Sequence, residues 1–309
     1  ITTAMPWQAS VPEEGLTMYG LVPLPAYLDA RKGFCVLPAE PRIQAATELA
    51  SEAAVLASWL QKAFSLHAGV SSQSLGTDGL DPASPGMPAS PCSPGLVLSL
   101  DAGLGEAEAY LLLVDPSGIK LVAAGPAGII RGAATLYQLA LSYGRSIPCL
   151  EIKDKPRFGW RGFMLDTARN FFRVEFLESL IDLAAMHKLN SFHWHLSDDQ
   201  AWRLEIPHLP ELTARGAWRV DRRFNAVIRR GGSYSPGDVQ RIVAYAAARH
   251  IEVVPEIDLP GHSTALLASH PELWCNASHS GRVFEPADLY GVLDGILCAG
   301  QEDSYEIGR

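Results

Sequence analysis

Short apolar runs in the second half of the chain have the pattern of buried β-strands. Three such runs occur, and the first and third end in an aspartate: "RGFMLD" (161–166), "NSFHWHL" (190–196) and "IEVVPEID" (251–258). Each run is too short for an ordinary helix. We therefore predict three strands that are buried on both faces.

Two longer segments between these runs have the period of a helix. In 173–189 the apolar residues recur in pairs, at positions 176, 177, 180, 181, 184 and 185, which predicts a core-facing stripe. The segment 235–250 starts with Ser235 as a predicted cap and Pro236 at the first helical position, with Asp238 in the first turn. Strands that alternate with helices predict a parallel sheet, either doubly wound or closed into an eight-stranded barrel.

The first half has a different pattern, that of a small α+β domain over residues 1–155. An apolar stripe predicts helices over 39–64 and 128–144, while 96–100 and 109–125 predict a strand and a hairpin. Residues 71–95 are rich in Ser, Gly and Pro, which predicts a flexible loop. Residues 156–309 then form the second domain.

Composition and charge narrow the class of protein. The chain has 309 residues, is 48% hydrophobic and carries a formal net charge of −9, which supports real cores and argues against a nucleic-acid-binding surface. No run of 18 or more apolar residues occurs, so we predict no membrane span. The chain begins "ITTAMPW", which leaves open whether a signal peptide has been removed.

Polar residues collect at or just after the end of each of the three predicted strands. They are Asp166 and Arg169 after the first strand, Asp198 and Asp199 after the second, and Asp258 and His262 after the third. In parallel α/β folds the C-terminal ends of the strands form the active face. One aspartate alone is as typical of a cap or a turn, but agreement among three units predicts a functional site.

Two histidines raise the alternative of a metal site. His193 and His195 are two apart on a strand and share a face, as in some metal-dependent barrel hydrolases. No later His-rich strand follows in the sequence, which favours histidines satisfied in the core or at the rim. We expect no metal and no cofactor, and the sequence also lacks a Gly-x-Ser-x-Gly elbow and a phosphate-binding loop.

Three motifs resemble, in order and spacing, the barrel of family 20 glycoside hydrolases, the β-N-acetylhexosaminidases. They are "RGFMLDTARNFF", "HWHLSDDQAWRLEI" and "EVVPEIDLPGHS", and "AGIIRGAATLYQL" resembles a helix of the small α/β domain that precedes that barrel. The resemblance implies a (β/α)8 TIM barrel, of which this chain holds about three βα units. It also implies exo-acting removal of terminal N-acetylglucosamine or N-acetylgalactosamine with retention, in which the substrate's own acetamido oxygen attacks the anomeric carbon.

The same resemblance implies roles for three residues. Arg169 matches the arginine that holds sugar hydroxyls, for which the rigid fork of its donors is suited. Asp198 matches the first acid of "SDD" and His262 the histidine of "PGH". In the family these two form a hydrogen-bonded chain that supports the catalytic glutamate, which must cycle between acid and base.

Four further residues have less definite expected roles. Asp258 matches a supporting or architectural group behind the site, and Asp199 is expected to be a turn or capping residue. Trp202 and Trp274 either line the sugar pocket or pack beneath its loops.

The family's His-x-Gly-Gly-Asp-Glu motif, which carries its catalytic pair, does not occur in this sequence. Glu302 and Asp303 have the reverse order and lie in "LCAGQEDSYEIGR", which resembles a segment before the next helix. Three barrel strands alone would leave open edges. We therefore expect a chain that is inactive alone and a second polypeptide piece that completes the barrel and supplies the acid.

The cysteines, at 35, 92, 149, 275 and 298, have no zinc-binding spacing. Cys275 and Cys298 lie in loop-like sequence of one barrel segment, which makes them the candidates for a disulfide. The alternative is that the cysteines are free or buried thiols.

The remaining expectations concern partners and location. The substrate is expected to be a glycoconjugate or a chitin-type oligosaccharide with a terminal β-linked N-acetylhexosamine, and a homodimer is left open. Export is common in the family and Asn276-Ala277-Ser278 is a formal glycosylation sequon. These points favour a secreted, periplasmic or lysosomal protein, with a cytoplasmic one left open. The rival function is a non-catalytic carbohydrate-binding module that retains Arg169.

Overall fold

The computed structural model describes two compact units. Its described residues are 19–38, 41–64, 69–72, 95–221, 228–275, 283–291 and 293–307. The first unit comprises Ile1–Arg161, Asp182–Leu189 and Ala248–His250. The second comprises Gly162–Ile181, Asn190–Ala247 and Ile251–Arg309.

A mixed sheet forms the centre of the first unit. Its strands are β1 (Tyr27–Val36), β2 (Arg42–Ala45), β3 (Gly69–Ser72), β4 (Gly95–Leu100), β5 (Tyr110–Asp115), β6 (Gly118–Ala123) and β7 (Ser146–Asp154). They lie in the order β1-β7-β5-β6-β4-β2-β3. The first four of that order pair antiparallel and the others pair parallel. Burial alternates along β5, which is the mark of a sheet with one face on a core.

Two long helices pack on this sheet. They are α1 (Ala50–Phe64) and α2 (Pro126–Tyr143), and short 3-10 turns occupy Thr47–Leu49 and Ala102–Leu104. Gly132 lets α2 approach the sheet closely, because a Cβ there would lie 2.2 Å from Leu121 Cδ1.

The predicted hairpin is confirmed, since β5 and β6 pair antiparallel around Asp115 and Gly118. The predicted helix over 39–64 is wrong in its first part, where Arg42–Ala45 is a strand. Ile43 and Ala45 are buried while the residues before each are exposed. Over four residues this period of two cannot be distinguished from a helical stripe. Of the predicted loop 71–95, positions 73–94 lie outside the described residues, and its ends belong to β3 and β4.

The second unit is built on three parallel strands in chain order. They are β8 (Gly162–Asp166), β9 (Ser191–His195) and β14 (Glu252–Glu256), with β9 in the middle. A sheet whose order follows the chain is typical of a barrel, whereas a doubly wound sheet reverses its order at a switch point.

Helices and two short antiparallel strand pairs lie between and after these three strands. The antiparallel pairs are β10 (Ser197–Asp198) with β11 (Ala201–Trp202), and β12 (Trp218–Asp221) with β13 (Ile228–Gly231). The helices are α3 (Val174–Met186), α4 (Glu211–Ala214), α5 (Pro236–Ala247), α6 (Thr264–Leu267) and α7 (Asp303–Glu306), with a 3-10 turn at Pro271–Leu273. Among the described helices, none is long and apolar enough to cross a membrane.

The predicted start of α5 is confirmed. Ser235 Oγ accepts from the Asp238 amide at 3.1 Å, and Asp238 Oδ2 accepts from the Ser235 amide at 2.9 Å. This reciprocal arrangement satisfies two amides that the helix itself cannot pair.

The prediction of three fully buried strands is wrong for the two outer ones. Only β9 is buried along most of its length, whereas Met164 of β8 is 50% exposed and the valines of β14 are half-buried. The cause is position, because β8 and β14 each have a strand on one side only among the described residues. Phe176, predicted on the core stripe of α3, is also exposed and stacks on Phe172.

An apolar cluster lies beneath the loops of the second unit. Its buried members are Trp202, Leu212, Leu266, Leu267, Ala268, Leu273, Phe284 and Leu297. The cluster packs the loops after β9 and β14 against each other and so fixes the polar residues that those loops carry.

Candidate active site

Three polar side chains end the three parallel strands side by side. Asp166 is the last residue of β8, His195 of β9 and Glu256 of β14. The strand register pairs Asp166 with His195 and His195 with Glu256. The carboxyl edge of this sheet therefore carries an acid, a base and an acid in a row, before the following loops add their own groups.

Arg169 is fixed by two carboxylates. Its Nη1 donates to Asp166 Oδ2 at 3.0 Å and its Nη2 lies 2.6 Å from Asp198 Oδ2. Its backbone amide also donates to Asp166 Oδ1 at 2.9 Å. The arginine side chain is 27% exposed, so a rigid guanidinium edge remains accessible to a ligand.

A buried arginine, Arg203, supports the loop that carries Arg169. Its guanidinium donates to four backbone carbonyls at 2.7 to 2.9 Å, those of Thr167, Ala168, Ala217 and Gly232. Burial lowers the pKa of Arg203 to about 10. Two of its four acceptors immediately precede Arg169, so Arg203 holds that loop to the hairpin region.

His262 lies between two carboxylates. Its Nδ1 is 3.3 Å from Asp198 Oδ1 and 3.2 Å from Asp199 Oδ2, and the hydrogen bond is to Asp199. The predicted Asp198–His262 pair is therefore close, but Asp199 shares the histidine. His262 has a φ of +49°, a left-handed conformation that is uncommon for residues other than glycine and that turns the loop at this point.

The two carboxylate oxygens of Asp199 bind different groups. Its Oδ1 accepts from the Thr264 amide at 3.1 Å and from Thr264 Oγ1 at 2.5 Å, at the start of α6. This matches the capping role expected from the sequence, while the other oxygen faces His262. Asp198 and Asp199 are both 2% exposed.

Hydrogen bonds and neighbouring cations keep Asp198 ionised. Burial by itself would raise the pKa of this carboxyl, but bonds from His195 and the Asp199 amide, with the charges of Arg169 and His262, lower it below its ordinary value. Asp198 is thus a buried carboxylate surrounded by donors, suited to orienting a base rather than to donating a proton.

His195 and Glu256 form an ion pair that sequence reasoning missed. His195 Nδ1 is 2.6 Å from Glu256 Oε2, and His195 Nε2 is 3.1 Å from Asp198 Oδ2. Both ring nitrogens face carboxylates, which makes the imidazolium the favoured form. Burial would lower the pKa of His195, but the bonds to Asp198 and Glu256 and the charge of Asp166 raise it to about 9.

Glu256 also binds His193, whose Nε2 is 2.6 Å from the same carboxylate oxygen. Burial would raise the pKa of Glu256, but hydrogen bonds and charge from His195 and His193 lower it. Arg169 Nη1 lies 3.1 Å from His195 Nε2, so two cations meet here and depend on Asp166 and Asp198 to offset their repulsion. The only signal for this pair was the His-x-His spacing on β9.

The other predicted residues lie around this centre. Asp258 is half-buried and its amide donates to Ser197 Oγ at 2.8 Å. Burial, and then the charges of Glu256 and Asp198, raise the pKa of its carboxyl. Trp202 is 4% exposed and belongs to the apolar cluster, so its indole packs beneath the loops, the second of its two expected positions. Trp274 is partly buried against that cluster and packs edge-on against Phe284.

Cys275 and Cys298 are free thiols in this structure, and their side chains are hydrogen-bonded to each other. An isolated antiparallel β-bridge between Trp274 and Leu297 brings the two segments together. The disulfide therefore remains a prediction. It is supported by the contact between the two thiols. Cys92 lies outside the described residues.

Within the described part of the chain, two groups of three side chains could ligate a metal ion. They are His195 with Asp198 and Asp258, and Asp198 with Asp199 and His262, with ligand atoms within 4.8 Å of one another. Among the described residues, neither group includes His193. Arg169 Nη2 already lies 2.6 Å from the shared ligand Asp198, and a cation at that distance opposes a bound metal ion. The donor set therefore fits an arginine better than a metal.

Two family models match almost the whole chain. The model described as "Glycosyl hydrolase family 20, domain 2" matches residues 18–155, and "Glycosyl hydrolase family 20, catalytic domain" matches residues 158–308. A β-hexosaminidase from Porphyromonas gingivalis is 40% identical over 207 residues, which are 64% of this chain and 26% of that protein.

Solved structures are similar over most of the chain. An N-acetyl-β-hexosaminidase from Streptomyces plicatus superposes with a TM-score of 0.77 at 32% identity, covering 93% of this chain and 54% of that one. An exo-β-N-acetylglucosaminidase of the same family from Vibrio harveyi, in complex with N-acetylglucosamine, gives a TM-score of 0.76 at 31% identity, covering 93% and 43%. The chain thus spans from about a quarter to about half the length of these relatives. The similarities confirm the α/β class and a barrel that this chain covers in part.

Proposed function

The chain belongs to glycosyl hydrolase family 20, and on that basis we propose that it is part of an exo-acting β-N-acetylhexosaminidase. One observation carries the proposal: Arg169 and His262 both approach Asp198 at the carboxyl ends of the parallel strands. A fixed, partly exposed guanidinium suits neighbouring sugar hydroxyls, and a histidine between two carboxylates suits support of an acid/base.

The proposed reaction proceeds by displacement at the anomeric carbon. The substrate's acetamido oxygen bonds to that carbon as the bond to the leaving oxygen breaks, and an enzyme acid gives its proton to the leaving oxygen. Water then attacks the anomeric carbon as the bond to the acetamido oxygen breaks, gives a proton to the conjugate base of the enzyme acid, and leaves the sugar in the β-configuration. In this scheme Arg169 orients the sugar, while Asp198 and His262 act on the acid/base through hydrogen bonds.

We propose that the acid and the group that orients the acetamido come from a second segment or polypeptide, because the sequence has no His-x-Gly-Gly-Asp-Glu motif. The proposed substrates are glycoconjugates or chitin-type oligosaccharides with a terminal β-linked N-acetylhexosamine. A homodimer and a secreted, periplasmic or lysosomal location remain parts of the proposal. The sequon at Asn276 lies outside the described residues.

The test compares Asp198→Asn with Asp29→Asn, an exposed aspartate of β1, in the native protein that contains this chain. We expect Asp198→Asn to lower kcat on an aryl N-acetyl-β-glucosaminide by about 100-fold or more, the range of general acid–base effects, with only a modest change in affinity for N-acetylglucosamine, because Arg169 keeps its bond to Asp166. Asp29→Asn should change neither. Equal activity of both variants would favour the carbohydrate-binding module. Cleavage by the purified 309-residue chain alone would overturn the requirement for a second piece.

A further inference from the structure

A groove lies beside the candidate site. Each of the two segments that form its walls is hydrogen-bonded to a residue of that site or is followed directly by a residue that is. The first wall is the antiparallel strand pair β12 and β13, where Arg219 Nη2 donates to the carbonyl of Arg169 at 2.7 Å. The second wall is the loop 283–286, and the next residue, Ala287, donates its amide to the carbonyl of Asp199 at 2.8 Å. Both walls of the groove are thus attached to the loops that carry Arg169 and Asp199.

The groove has a volume of about 300 Å³, at the small end of the range of ligand pockets. The side chains that matter here are Arg215, Trp218, Arg219, Arg229, Phe284 and Glu285, all of which line it. Three of these are arginines and one is an acid. This local excess of positive charge occurs in a chain whose formal net charge is −9.

Arg229 is held in place by an aromatic platform. Its guanidinium carbon lies 4.6 Å from the centroid of the Trp218 ring. Gly231 stands opposite Trp218 in the register, and a Cβ there would lie 2.6 Å from the indole. Glycine thus lets the indole lie across the hairpin. Stacking on the indole immobilises the planar fork of Arg229, so less entropy is lost when it binds an anion.

Two exposed arginines of the groove have no carboxylate partner within the part of the chain that the structure describes. Among the residues that the structure describes, neither Arg215 nor Arg229 forms an ion pair, although both are exposed. Most exposed arginines can find an anion on the surface of an acidic protein. Two such arginines in the lining of one groove, one of them stacked on an indole, leave donors available for an external oxyanion.

We propose that this groove binds a sulfate or carboxylate group on the sugar that follows the terminal N-acetylhexosamine. The inference rests on the proposed function, since it takes the terminal sugar to be held at Arg169. Sulfate and carboxylate share the planar pair of oxygens that a guanidinium binds with two parallel hydrogen bonds. Among the described lining residues Glu285 is the one acid, against three arginines, so that the lining has a net positive charge.

The test measures kcat/KM of the native protein at low salt on three substrates. They are N,N'-diacetylchitobiose, the same disaccharide with a 6-O-sulfate on its reducing sugar, and N-acetylglucosamine β1,4-linked to glucuronic acid. We expect one or both anionic substrates to be preferred about fivefold, which corresponds to about 1 kcal/mol, and the preference to fall as salt is added. A preference for one anion alone identifies the source of the oxyanion.

In the variant Arg229→Gln the kcat/KM for the anionic substrate divided by that for the neutral one should fall to about one. In Arg215→Gln this ratio should also fall. Arg145→Gln, which removes an exposed arginine of the first unit, should keep the ratio of the wild type. Absence of any anionic preference, or its survival in Arg229→Gln, would overturn the inference while cleavage of the chitobiose upheld the proposed function. Failure to cleave the chitobiose would overturn both.

Discussion

Replacing His195 should remove a large part of the pH dependence of stability. The pKa of His195 is raised from 6.5 to about 9, because Asp198 and Glu256 face its two nitrogens. Between these pH values the folded protein holds a proton that the unfolded chain has released. Its stabilisation is therefore complete below pH 6.5 and lost as pH rises through 9. Each pH unit is worth about 1.4 kcal/mol, so the whole effect is about 3 kcal/mol.

The assay is urea-induced unfolding at several pH values across that window. In the wild type the free energy of unfolding should fall as pH rises, by an amount that includes this contribution. In His195→Gln, which keeps a hydrogen-bond donor but not the charge, the fall should be smaller by about 3 kcal/mol. His208→Gln, at an exposed histidine of the same unit, should fall like the wild type. An identical pH dependence in His195→Gln and the wild type would refute the reasoning.

Three further predictions concern parts of the second unit. Arg203→Met should lower the free energy of unfolding by about 3 kcal/mol or more, because four backbone carbonyls lose their hydrogen bonds to the guanidinium; a loss below about 1 kcal/mol in urea titration would contradict this. Ser235→Ala should cost about 1 kcal/mol in the same assay through loss of the cap, and no measurable change would show that the cap is not needed. Non-reducing peptide mapping should recover Cys275 linked to Cys298, since the two sulfurs already meet; finding both alkylated would contradict the disulfide.

The location of the site could be predicted from the sequence because parallel strands end at one edge. Asp166, Asp198 and His262 follow separate strand-like runs, and the fold brings them to that edge whatever the details of the loops. The start of α5 was equally predictable, since its signal lies within four consecutive residues.

The ion pair between His195 and Glu256 could not be predicted in the same way. These residues lie 61 positions apart and meet because the register of two strands sets them side by side. A local sequence pattern does not specify the register between two strands. The sequence showed the strand that ends at Glu256 only as an apolar run. The approach of His262 to Asp199 as well as to Asp198 was missed for a similar reason. It depends on the left-handed backbone conformation of His262, with a φ of +49°.

The stereochemistry of hydrolysis tests the central claim most directly. Proton NMR of the native protein acting on an aryl N-acetyl-β-glucosaminide would show which anomer of N-acetylglucosamine forms first, before mutarotation. Attack by the substrate's acetamido oxygen followed by water predicts the β-anomer, with a rate that falls in Asp198→Asn. First appearance of the α-anomer, or no release of sugar at all, would contradict the account.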